Sequence, residues 1–392
     1  MSPAASSHAL KHPPVKAPSE PAGADSDLAA NFPELGVAID RARRRGRGAQ
    51  SNASGRYEAE ARVAFDDGWQ SLEELPPFKT SVGVDTSRKV ITRNDSPDIG
   101  FDRSINPYRG CEHGCVYCFA RPTHAYLGLS PGLDFESKLF VKPDAPSLLE
   151  KELAAPGYEP RMIAIGTNTD PYQPIERDRK IMRGILEVLE RAGHPVGIVT
   201  KSALVVRDID ILARMAKRNL AKVAISITSL DPKLARTMEP RASTPPKRLE
   251  ALKQLSDAGI PTTVMVAPVI PALNDSEIER LLDAAAHAGV KEASYVLLRL
   301  PLEVRDLFRE WLMANYPDRY RHVFTLIRDM RGGRDYDAKW GERMKGTGPM
   351  AWTIGRRFEI ACDRLGLNKR RSKLTIDQFA KPKRNGDQLS LF

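Results

Sequence analysis

Cys111, Cys115 and Cys118 stand together in the run NPYRGCEHGCVYCFARPTH, three of the four cysteines in a chain of 392 residues. Three thiolates spaced CxxxCxYC on one short loop can hold three irons of a [4Fe–4S] cluster and leave the fourth iron without a protein ligand. An open iron is a place for a substrate or cofactor to bind. Two other chemistries compete for the same residues. Zinc takes four protein ligands in a structural site, and His113 or His124 could complete one, since Cys362 lies far off in sequence. A disulfide framework needs more cysteines than these, and no charged start followed by an apolar core opens the sequence, so a secreted setting is not expected. No run of about twenty apolar residues occurs, and the protein is expected to be cytoplasmic, with no membrane partner.

The elements that would position such a loop follow it. Short β-branched runs at Met162 to Gly166, Val196 to Thr200, Val223 to Ile227, Thr263 to Ala267 and Ser294 to Leu298 alternate with amphipathic stretches. These stretches are Arg179 to Ala192, Asp208 to Arg218, Pro246 to Ala258 and Asp275 to Ala288. Their spacing is that of βα repeats returning to a parallel strand. A first strand just before Cys111 completes six units, which predicts an incomplete (β/α)6 barrel, a partial TIM barrel, with its chemistry at the C-terminal strand ends. The rival doubly wound sheet lacks a GxGxxG after its first strand.

The strand ends can then be read as a site. After the second strand, Thr167, Asn168, Thr169 and Asp170 supply acceptors that an ammonium group needs. The third ends in Thr200, Lys201 and Ser202, where a lysine can pair with a carboxylate. The fourth carries Ser226, Thr228 and Ser229, suited to ribose hydroxyls, and is followed by Glu239, Pro240 and Arg241, of which Arg241 is counted with the cofactor-binding residues. Each of these has a bland alternative, because polar residues at strand ends also cap the next helix. Their recurrence at successive strand ends is what singles out the set.

The cysteine spacing, with Tyr117 just before the third cysteine, resembles the signature of the radical S-adenosylmethionine (SAM) superfamily. Residues 95 to 300 resemble its spore photoproduct lyase-like, or photolyase-like, branch, and the runs NPYRGCEHGCVYCFARPTHAYLGL and WGERMKGTGPMAW are similar to a bacterial subfamily of it. The resemblance implies a [4Fe–4S] cluster whose open iron chelates the methionine end of SAM. Reduction by a partner such as flavodoxin or ferredoxin would then release a 5′-deoxyadenosyl radical. It further implies that Asn168 with Asp170, Lys201, Ser226, and Ala267 with Pro268 surround the cofactor, and that Tyr117 and Phe119 lie near its adenine. In that branch a cysteine just after the second strand donates a hydrogen atom to the product radical, whereas this chain has Thr167 there. A threonine O–H is too strong a bond for that task, and Cys362, the remaining thiol, reads as a core residue. No CxxC pair follows the barrel, so no auxiliary cluster is expected.

The rest of the chain speaks to partners. Residues 1 to about 30 are rich in Ala, Ser, Pro and Gly, and 41–48 read RARRRGRG, a solvated basic tail or a phosphate-contacting arm; residues 1–60 together are read as a disordered, basic segment. Residues 61–100 form a lead-in, 101–300 the barrel, 301–380 a helical, basic extension and 381–392 a flexible tail. Trp340 and Trp352 in the extension are read as core packing in preference to base stacking. Gln388, Leu389, Ser390, Leu391 and Phe392 spell QLSLF, which resembles the pentapeptide by which bacterial polymerases and repair proteins dock on the DNA sliding clamp. With a net charge of +10, this points to nucleic acid, DNA in preference to RNA, as substrate. A target base would have to leave the stack to meet a radical inside a barrel. The competing functions are a radical enzyme that modifies tRNA, protein or a small metabolite, and a cluster-bearing adaptor without catalysis.

Overall fold

The computed structural model describes residues 38–58 and 76–383, so the QLSLF tail and residues 1–37 of the N-terminal segment lie outside the described residues. In chain order the strands are β1 (Ser81–Val84), β2 (Ile91–Arg93), β3 (Arg103–Ile105), β4 (Tyr108–Arg109), β5 (Lys138–Val141), β6 (Ile163–Ile165), β7 (Val196–Thr200), β8 (Ala221–Ser226), β9 (Thr262–Val269) and β10 (Glu292–Leu297). The main sheet has the order β10-β9-β8-β7-β6-β3-β2. Six of its strands, β3 and β6 to β10, are parallel, and β2 is antiparallel at the edge.

The six parallel strands match the expected count, and the fold is an α/β one, an open parallel sheet with crossover helices, the strand pattern of an incomplete barrel. Its first strand is β3; the strand just before Cys111, β4, belongs to a separate three-stranded sheet of order β1-β5-β4. That smaller sheet frames the cysteine loop: β4 leads into it and β5 leaves the short helix α1 (Leu133–Ser137) that follows it.

Parallel strands need crossovers, and amphipathic helices supply them. Of these, α2 (Ala145–Leu153) precedes β6; α3 (Glu176–Arg179) and α4 (Ile181–Arg191) join β6 to β7; α5 (Ile209–Lys217) joins β7 to β8; α6 (Pro232–Met238) and α7 (Pro245–Asp257) join β8 to β9; and α8 (Ile278–His287) joins β9 to β10. Helix α4 shows why: Ile181, Ile185, Leu186 and Leu189 recur at helical spacing, and all are buried on the sheet. In the strands, Ile198, Ile225, Val264 and Val266 face the same core. Pairing brings Ile165 level with Ile198, Thr200 with Ile225 and Ser226 with Met265, so the C-terminal strand ends share one rim.

The C-terminal extension contains α9 (Val304–Asn315), α10 (Tyr320–Asp329) and α11 (Gly348–Arg364). Phe308, Trp311, Leu312 and Phe324 share one apolar cluster with Val116 and Tyr117 of the cysteine loop, so the extension buttresses that loop. Two expectations are corrected here. Trp340, in the turn before α11, is 55% exposed, and Trp352 is 70% exposed because the apolar stripe of α11 is formed by Ala351, Ile354, Phe358 and Ala361. Residues 38–58 are ordered rather than a solvated tail: Arg47, Gly48, Ala49 and Gln50 are buried.

Candidate active site

The cysteine loop is held by backbone geometry first. Gly110, at φ +72°, leads into it, and a side chain there would meet the Phe135 carbonyl and Leu139. The Cys111 amide donates to the Phe135 carbonyl at 2.9 Å. From within, fully buried Arg121 donates from Nε to the Cys115 carbonyl (2.9 Å) and from Nη2 to the Gly114 carbonyl (3.2 Å) and Glu136 (2.5 Å). Gln173 accepts from the Glu112 amide and donates to the Gly110 carbonyl. Cys111 and Cys115 are buried and Cys118 half-buried.

All three thiols line a cavity of about 320 Å³ whose walls include Asn168, Asp170, Lys201, Ser226, Ala267, Pro268, Tyr117 and Phe119. Lys201 lies in its wall: Nζ donates to Ser226 Oγ (2.6 Å) and to the Ala267 carbonyl (3.2 Å), sits 3.5 Å from Glu239 and 5.6 Å from the Tyr117 ring centre. Glu239 is buried and accepts from Arg248, from the Tyr117 hydroxyl and from Thr228. Burial alone would raise its pKa, but Arg248 and Lys201, with the Thr228 and Tyr117 hydrogen bonds, hold the carboxyl well below the usual range. Asp170 is also depressed against the pull of burial, by His113 and by donors from the Lys201 amide (2.7 Å) and Thr200 hydroxyl (2.7 Å). The Nδ1 of His113 lies 3.3 Å from Asp170 without a well-aligned hydrogen bond.

The structure thus brings together Tyr117, Phe119, Asn168, Asp170, Lys201, Ser226 and Ala267 with the three cysteines. It does not bring Arg241, whose guanidinium pairs with Glu112 at 3.2 Å and forms no part of the cavity wall. Thr169 and Ser229 serve the backbone: the Thr169 hydroxyl donates to the Tyr108 carbonyl, and Ser229 accepts from the Asp231 amide. Thr228 reaches Glu239 and the Ala267 carbonyl, and Ser202 caps the turn at Leu204. Cys362 is buried in α11 beside Asn368, away from the cavity, and burial pushes its thiol up to about 11. Sequence reasoning named Glu239 only as a polar residue after the fourth strand and missed its pairing; its partner Arg248 is nine residues on, across a helix boundary, and no periodicity marks the pair. It also missed part of the cavity wall, formed by Ile99, Phe101, Leu298, Arg299 and Met344, with Arg299 lying 4.8 Å over the centre of the Phe119 ring.

The donor set fits a cluster. Burial pushes all three thiols upward, so thiolates there need a cationic partner, which iron supplies. Among the described residues no three Cys, His, Asp or Glu side chains converge on a single ion, whereas a cluster takes its cysteines on separate irons. His124, the other candidate zinc ligand, instead packs its ring edge-on to Phe135. For a bound SAM, the Lys201 ammonium and Asn168 would hold the charged methionine end, and Val199, Met265, Pro268 and Leu297 would enclose the adenosine. Such a pair, if bound and reduced, would supply a 5′-deoxyadenosyl radical.

Comparison with known proteins agrees. A family model described as Radical SAM superfamily matches residues 105–285. An uncharacterized protein of Mycobacterium tuberculosis is 40% identical over 229 residues, 57% of this chain and 67% of that one. One from Methanocaldococcus jannaschii is 29% identical over 56% of this chain and 78% of its own. Among solved structures, spore photoproduct lyase with bound AdoMet and dinucleoside spore photoproduct superposes with a TM-score of 0.52 at 17% identity, covering 73% of this chain and 80% of that one. The same lyase complexed with dinucleoside spore photoproduct gives a TM-score of 0.51 at 17% identity over the same shares. The three-cysteine loop falls within the matched stretch, and the chain belongs to the radical SAM superfamily, whose cofactors are a [4Fe–4S] cluster and S-adenosylmethionine.

Proposed function

We infer that this radical SAM protein acts on nucleic acid, with damaged DNA as substrate in a lyase-like repair reaction. The observation that carries the reading is the mixed lining of the cavity. Beside the polar Asn168, Asp170, Lys201 and Ser226 it has the apolar side chains of Ile99, Phe101, Phe119, Leu298 and Met344 and the guanidinium of Arg299. Such a chamber suits a planar base lifted out of its stack. The likeness in fold to spore photoproduct lyase and the net charge of +10 support the same substrate class. So do the exposed side chains of Trp340 and Trp352, which offer stacking surfaces.

Thr167 in the cavity wall, and Cys362 outside it, leave no thiol placed to return a hydrogen atom, so the reaction differs from one that uses a cysteine donor. In this reading the QLSLF tail tethers the enzyme to the DNA sliding clamp, raising local concentration where base-specific contacts are few. The protein works in the cytoplasm with flavodoxin or ferredoxin as its reductant.

The test is anaerobic cluster reconstitution, reduction in the presence of SAM, and assay of 5′-deoxyadenosine for wild type and Cys115→Ala. Formation by wild type alone, stimulated by irradiated DNA over intact DNA, RNA or protein, is the expected result. No formation with iron and SAM bound would sink the catalytic reading and leave an adaptor. Stimulation by RNA or protein alone would move the substrate out of the DNA class.

A further inference from the structure

The basic N-terminal run docks on the back of the cysteine loop, outside the stretch matched by the family model. Its centre is Glu136, fully buried in α1. One Glu136 carboxylate accepts the Gly48 amide (2.8 Å), the Ala49 amide (2.9 Å) and the Arg121 guanidinium (2.5 Å). Arg121 in turn holds the Gly114 and Cys115 carbonyls. Arg47 adds a second anchorage, donating to the Glu136 carbonyl (2.5 Å), the Phe78 carbonyl (3.1 Å) and Thr80 (3.0 Å). Thr80 donates to Glu112, which stands beside Cys111, at 2.7 Å.

Backbone meets backbone along this contact. A Cβ on Gly48 would lie 1.9 Å from the Gly114 carbonyl oxygen, and one on Gly132 would lie 2.4 Å from the Ser51 carbonyl oxygen. Asn52 and Asp134 extend the contact by a reciprocal pair, at 3.1 and 2.8 Å. A solvated arm has no need of two interlocked glycine contacts and a three-donor buried carboxylate. The three cysteines sit on the loop whose carbonyls this lattice fixes, and ligands of a metal centre depend on such outer partners for their placement.

We propose that residues 47–52 are a positioning strap for the cluster: through Glu136 and Arg121 they set the conformation of the Gly114–Cys115 peptide and so the arrangement of the three cysteine sulfurs. Neither Gly48 nor Arg47 lines the cavity, so the strap acts through the loop and not on a substrate. The role holds whatever the substrate is.

The test is Gly48→Ala, with Gly157→Ala, a site with open space around it, as the control. Both proteins are reconstituted anaerobically. Iron per chain, the electron paramagnetic resonance spectrum of the reduced cluster, and the rate of iron loss to a ferrous chelator are measured, with circular dichroism confirming the fold. Gly48→Ala is expected to lose iron about tenfold faster or more and to show an altered spectrum, while Gly157→Ala matches wild type. An unchanged rate and spectrum in Gly48→Ala overturn the proposal. Should that variant not fold, Arg47→Lys keeps the charge and the Gly48 and Ala49 amides but loses the forked contact. It is expected to accelerate iron loss by a smaller factor, and a wild-type rate there overturns the proposal equally.

Discussion

The Lys201 ammonium lies 3.5 Å from the Glu239 carboxylate, and Glu239 is at the same time the partner of buried Arg248. One carboxylate therefore faces two cations. Arg248 is fully buried and permanently charged, so it takes the larger share of Glu239, and Lys201 keeps charge to spare for an anionic group in the cavity. This is how a strand-end lysine can be both fixed in place, by Ser226 and the Ala267 carbonyl, and available to a carboxylate ligand.

Replacing Lys201 with Met keeps the bulk and removes that charge. SAM affinity of the cluster-loaded protein is expected to fall about tenfold to a hundredfold, the worth of a hydrogen bond to a charged group. Equilibrium dialysis with labelled SAM reads it. Unchanged affinity would place the cofactor's carboxylate elsewhere.

Glu239→Gln acts on stability instead. It strips the buried Arg248 of its counter-charge, which costs about 3–5 kcal/mol. Urea unfolding at neutral pH, compared with Lys201→Met, should show the large loss in Glu239→Gln alone. A small loss there would mean that the Ser243 and Ser226 carbonyls, with the variant's neutral side-chain amide, suffice for Arg248.

The cysteine loop and the strand-end residues Lys201 and Ser226 were legible because their chemistry is local: a fixed spacing in one case, a β-branched run ending in a polar residue in the other. Arg241 misled, since a polar residue after a strand says nothing about which way a loop carries it, and Glu112 claimed its guanidinium. The strap was unreadable for a related reason. RARRRGRG has the composition of a solvated arm, and Arg47 and Gly48 are buried by contacts to Glu136 that span 89 and 88 residues of sequence.

Removing Gln388 to Phe392 separates recruitment from chemistry. On the proposed function, the truncated protein forms 5′-deoxyadenosine from SAM at the wild-type rate without DNA, and loses binding to immobilised sliding clamp. Retained clamp binding would remove the tail from the recruitment reading while leaving the cavity untouched.

Acid should loosen the protein at its C-terminal end first. His194 is buried between Tyr158 and Phe379, with Nε2 2.7 Å from the Tyr158 hydroxyl and its ring edge-on to Phe379 at 5.5 Å. Burial lowers its pKa to about 4, and His124 is lowered likewise to about 4. An unfolded histidine takes up a proton near pH 6.5, so between about pH 6.5 and 4 the unfolded chain binds more protons than the folded one. Each of the two histidines then contributes stability that is complete above pH 6.5 and falls by about 1.4 kcal/mol per pH unit as the pH drops through that window. The segment around Phe379 is tied down by the Ala380 amide on the Ala192 carbonyl and by Arg218 on Gln378, contacts near the surface that give way before the sheet does. Urea unfolding at pH 7, 6 and 5 should therefore show a slope that His194→Gln reduces by one histidine's share, and hydrogen exchange at Ala380 should quicken on acidification in wild type. An equal slope in the variant would show that His194 is protonated in the folded protein without cost.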